Sequence, residues 1–164
     1  MGLETKKYSL EMDAANTFQD YEKQLEDEIG KKKRGKRGSS TKVMDLVEIE
    51  LQPPDWDDSP SVQDSKDFQI TTTKESAIKD LSHNTLIKKW GQELLAVGAA
   101  AAWGLEERVL KIPVNRYIIK KEIHFGVDCN EVADTGWHVE LGFNYTYVSD
   151  WQLARMIVTG KQVF

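Results

Sequence analysis

Cysteine is almost absent from this 164-residue chain: Cys129 stands alone, so no intrachain disulfide can form and a disulfide-stapled scaffold is excluded. The four prolines and eleven glycines follow no triplet repeat, which excludes a collagen-like fibre. Long apolar runs are missing too, since the uncharged stretch 94–105 falls short of the ~20 residues that a helix needs to cross a bilayer. The N-terminal residues lack the apolar core of a secretory signal, and Lys6 stands where N-myristoylation of Gly2 would require Ser or Thr. Together with the lone cysteine, these absences predict an intracellular protein, in cytoplasm or nucleus. No phosphate-binding loop, dinucleotide glycine motif, nucleophile elbow or zinc-protease helix motif occurs either, which makes an enzyme the lesser reading.

What is present is charge, unevenly placed. The formal net charge is −5, but residues 1–30 hold three Lys against eight acids, 31–42 hold seven bases and no acid, and 43–67 hold one Lys against eight acids. From residue 68 to the end, eleven bases meet eleven acids. All the asymmetry therefore lies in the first 67 residues.

Periodicity divides the chain in the same way. Ala14, Phe18, Tyr21, Leu25 and Ile29 recur at steps of three and four, which predicts an amphipathic helix over about residues 10–30, ended by Gly30. A helix with one such stripe must dock on something. The run from Lys31 to Lys42 predicts a solvated, mobile arm; Val47, Ile49 and Leu51 predict a short strand over 43–51; and the Pro-rich acidic segment 52–67 predicts an exposed linker. Residues 68–164 predict a globular domain. Its expected elements are a strand at Phe68 and Ile70, a helix through Ala77, Ile78 and Leu81, and a second helix from Leu86 through Trp90 into the apolar stretch that ends at Leu105. A short strand from Arg108 should stop at Pro113, and two alternating strands at 117–127 and 137–147 should form an antiparallel hairpin. Ser149 and Gln152 have the spacing of a capping box opening a last helix. The expected fold is α+β: an antiparallel sheet of about four to five strands with two to three helices, behind a charged, partly flexible tail.

Two groups of residues carry the functional expectations. Lys31, Lys32, Lys33, Arg34, Lys36 and Arg37 form an unopposed basic run, able to neutralise phosphates of nucleic acid or anionic lipid, to serve as a nuclear import signal, or merely to solvate a linker. No aromatic side chain interleaves with this run in sequence, so base stacking finds no support there. Phe18, Tyr21, Leu25 and Trp56 are the candidates for contacts with a second copy. His124 and His138, with Glu140 and Cys129, offer zinc-ligand types but none of the usual ligand spacings, so no metal, cofactor or catalytic residue is expected.

A Lys-rich arm, the segment Pro53-Pro54-Asp55-Trp56, and a compact α+β domain with a helix after its first strand together resemble the layout of rhabdovirus matrix proteins. In length the chain is similar to the plant-infecting cytorhabdovirus type. The resemblance covers residues 31–114, and Trp56 replaces the tyrosine of the family's Pro-Pro-x-Tyr motif. It implies a non-enzymatic virion protein of the host cytoplasm that self-associates into a homo-oligomer, condenses viral nucleoprotein or RNA, and touches the inner membrane surface peripherally. The competing readings are a nuclear nucleic-acid-binding regulator or silencing suppressor and, more remotely, a small metal-dependent enzyme.

Overall fold

The structure, a computed structural model, describes residues 2–11, 18–54, 63–95, 109–129, 136–158 and 163–164. It is a β-protein, not the expected α+β domain. The described residues form nine strands in chain order: β1 (Glu4–Glu11), β2 (Gln19–Gln24), β3 (Lys32–Gly35), β4 (Gly38–Gln52), β5 (Gln63–Thr71), β6 (Leu86–Leu95), β7 (Leu110–Ile118), β8 (Glu122–Cys129) and β9 (Gly136–Ser149). Among the described residues one helix follows, α1 (Asp150–Val158).

The strands form two antiparallel sheets. One runs β1-β9-β4-β3, with β7 on the same edge of β4 as β3; the other runs β2-β8-β5-β6. With β3 set aside, the remaining eight strands pair as nested hairpins, β1 with β9, β2 with β8, β4 with β7 and β5 with β6. The β9–β4 and β8–β5 pairings join these hairpins into the two sheets. That nesting is the topology of a jelly roll. The core lies between the sheets, where Leu10, Leu46, Ile49, Trp137, Leu141 and Phe143 meet Phe68, Ile70, Ile123, Phe125 and Val127. Tyr8 contacts Phe125 and Phe68 stacks on Trp137 across the gap, at centroid distances of 5.3 and 6.2 Å.

Several expectations fail here for identifiable reasons. The amphipathic helix over 10–30 does not form: its described part is the end of β1, then β2 and a turn, because β2 can satisfy its backbone against β8, whose Ile123, Phe125 and Val127 are strong strand formers. The second helix begins instead as β6, whose backbone is satisfied by pairing with β5 along its length, Gly91 opposite Asp67. The rest of that helix, including Leu105, lies outside the described residues. Ala77, Ile78 and Leu81 belong to an irregular surface loop in which Glu75 accepts hydrogen bonds from Thr73 and Thr85 rather than opening a helix. Pro113 does not stop its strand, because it faces a bulge in β4 between Leu46 and Glu48, where ladder pairing is already broken. The two long alternating strands exist as β8 and β9, but they do not pair with each other and lie in opposite sheets. Finally, the first 67 residues are no flexible tail: they supply strands to both sheets.

Candidate polyanion-binding hairpin

The basic run folds. Lys32, Lys33 and Arg34 pair with Thr41, Ser40 and Ser39, and Lys36-Arg37 forms the tight turn between Gly35 and Gly38. Gly38 has φ 113°, a left-handed value that L side chains resist, so glycine is what lets the chain reverse there. At the hairpin base, Gly30 N donates to Lys42 O and Lys42 N donates to Lys31 O, at 2.8 and 3.0 Å. β3 therefore extends the sheet edge as a ribbon rather than hanging as a mobile arm.

Pairing fixes which side each cation takes. Lys32 and Arg34 share a face with Ser39 and Thr41, whereas Lys31 and Lys33 share the other with Ser40 and Lys42; Lys36 and Arg37 occupy the tip. On the first face the hairpin is clamped to the start of α1. Ser39 and Thr41 hydroxyls donate to the Asp150 carboxylate at 2.9 and 3.0 Å, and the Lys32 ammonium lies 3.2 Å from it. The Ser39 bond foremost, then those from Thr41 and Lys32, holds the Asp150 carboxyl below its ordinary range. Ser149 caps the helix as its spacing predicts: its Oγ accepts from Gln152 N and donates to Gln152 Oε1.

The second face carries aromatics that sequence order hides. Lys42 pairs with Tyr147 across β4 and β9, and the Lys33 ammonium sits 5.5 Å above the Tyr147 ring. Lys42 lies 4.6 Å from the Tyr145 ring centroid and 2.9 Å from Glu26. Burial, and then the Glu26 hydrogen bond, pushes the Tyr145 phenol up to about 12. Along β9 the parity Trp137, Val139, Leu141, Phe143, Tyr145, Tyr147 is continuous, but its first four members are buried and Tyr147 is 49% exposed. The core face of this sheet thus runs out into solvent beside the cations. The signal was available in the uninterrupted alternation of β9; what sequence could not supply was that β9 lies next to β4.

All six cations of the run are exposed. Lys31 pairs with Glu28 at 2.9 Å and Lys32 with Asp150, while Lys33, Arg34, Lys36 and Arg37 have no carboxylate within ion-pair distance among the described residues. The four cations without an acid partner converge on the end of one two-stranded ribbon roughly 10 Å long at ~3.3 Å per residue.

The expected self-association residues are not gathered into an outward patch. Leu25 is 7% exposed and belongs to the core, Tyr21 packs against that core with its hydroxyl within hydrogen-bond reach of Glu11 O and Gln19 Oε1, and Phe18 lies half-buried against Gly126. Trp56 lies outside the described residues. The exposed apolar side chains are elsewhere: α1 buries none of its residues and presents Trp151 (69%), Ile157 and Val158 (86%).

The histidine pair expected to share a hairpin face is separated between the sheets. His124 is buried and its Nδ1 donates to Asp20 Oδ1 at 2.6 Å, while Asp20 Oδ2 accepts from Glu75 N, so the pair ties β2 to the surface loop. His138 is exposed on the opposite sheet beside Ser9. Cys129 is buried, and that burial raises its thiol to about 11, a poor nucleophile at neutral pH. Among the described residues, no three His, Cys, Asp or Glu side chains converge as a metal site would require, and no helix is long and apolar enough to cross a membrane. No protein-family model, curated protein or solved structure matches the chain.

Proposed function

We propose that this chain is a non-enzymatic structural protein that binds a polyanion, nucleic acid in the first place, through the β3–β4 hairpin. The observation that carries the reading is the convergence of Lys33, Arg34, Lys36 and Arg37, without acid partners among the described residues, on one ordered ribbon. Ordering matters because cations on a formed hairpin lose less conformational entropy on binding than cations on a flexible arm. The hairpin, rather than the likeness to rhabdovirus matrix proteins, supports this reading, since that likeness drew on a mobile arm and an α+β domain. Self-association is the second half of the proposal. It is supported by the uncovered apolar side chains of α1, which stand next to the hairpin and could meet a second copy.

Anisotropy of a short labelled RNA against protein, repeated across salt concentrations, tests the first half. Four neutralised phosphates give a slope of log K on log salt of about −3 for a single strand. The variant Lys33→Ala/Arg34→Ala/Lys36→Ala/Arg37→Ala should lose most of both the affinity and the slope. An unchanged slope would overturn the reading, and binding to anionic vesicles without binding to RNA would replace nucleic acid by lipid as the polyanion. Light scattering with and without the RNA tests self-association: a monomer at every concentration in both conditions removes it.

A further inference from the structure

The hairpin's second face has more than charge. Tyr147 shows half its surface to solvent, at the end of a strand side whose first four residues are buried, and the Lys33 ammonium lies 5.5 Å above its ring, while its paired neighbour Lys42 turns to Tyr145 and Glu26. A polyanion bound only through phosphates needs no exposed ring there. We propose that the ligand is a single-stranded nucleic acid and that one of its bases stacks on Tyr147 while Lys33 and the tip cations hold the adjoining phosphates. This rests on the hairpin reading above and names the class of nucleic acid it takes.

The chemistry fits the placement. Sequence-tolerant binding of single strands combines a cationic track with aromatic planes on which unpaired bases lie, since every base has a π face. In a duplex the bases are already stacked on one another, and a ribbon of this kind would reach only their edges and the phosphates. Lys33 is exposed on a long flexible side chain, so it can leave the ring for a phosphate as a base takes its position.

The test compares wild type, Tyr147→Ala and Tyr147→Phe for binding a single-stranded oligonucleotide, an abasic strand of equal phosphate number and a duplex of the same sequence. Wild type should bind the single strand more tightly than the other two. Tyr147→Ala should lose tenfold or more on the single strand and change little on the abasic strand and the duplex, with Tyr147→Phe close to wild type because the ring remains. Equal binding of single strand and abasic strand by wild type, or no loss in Tyr147→Ala, overturns the stacking proposal while leaving the hairpin reading intact. Failure of wild type to bind any of the three overturns both.

Discussion

Asp150 does more for the site than its position in the chain suggests. It begins α1, where a carboxylate complements the helix N-terminus, and it also receives Ser39, Thr41 and Lys32 from the hairpin. Since its carboxyl is held below the ordinary range, it contributes to hairpin docking at and above that range, and the contribution is lost as pH falls through the lowered value. Amide exchange at Ser39 and Thr41 should therefore quicken below about pH 4, after correction for intrinsic rates, and Asp150→Asn should show faster exchange already at neutral pH. Indifference of both amides would mean that the clamp does not hold the hairpin. The Ser149–Gln152 cap was legible in the sequence because its two residues are local; the Asp150 clamp was not, because its partners lie about a hundred positions away. The same holds for Asp20 and His124, whose buried pairing no local spacing announces.

At the scale of elements, strands whose alternation agrees with strand-forming residues could be read directly. The Val/Ile/Leu part of β4, Phe68 and Ile70 of β5, and most of β8 and β9 are of this kind. The misread segments, β2 and β6, have apolar residues at steps that serve a helix equally well, and their strand state is imposed by the neighbours they pair with. The hairpin tip was misread for another reason: like-charge repulsion argued for a mobile arm, but Gly35 and Gly38 permit a tight turn that β4 then orders. Gly38→Val tests that role. It should cost about 1–2 kcal/mol, because φ 113° is strained for a side chain although nothing crowds the site. The loss should appear as faster amide exchange in β3 with β8 unaffected, and RNA binding should weaken although every cation is kept. Unchanged β3 protection would show that the turn does not depend on glycine.

For the whole molecule, the net charge of −5 conceals a segregation that the fold preserves rather than averages. The jelly roll buries a core between its sheets and leaves the β3 ribbon on one edge, one strand across β4 from the end of β9, where the core face meets solvent. Folds of this kind host unrelated functions, so the reading depends on that edge and not on the topology. Titrating the isotope-labelled protein with a short single-stranded RNA and following its amide resonances tests the central claim most directly. The expected result is a set of shifts confined to residues 32–42 and 145–150, saturating together and reversed by salt. Shifts centred instead on β5, β6 or the loop between them, with the hairpin unmoved, would contradict it.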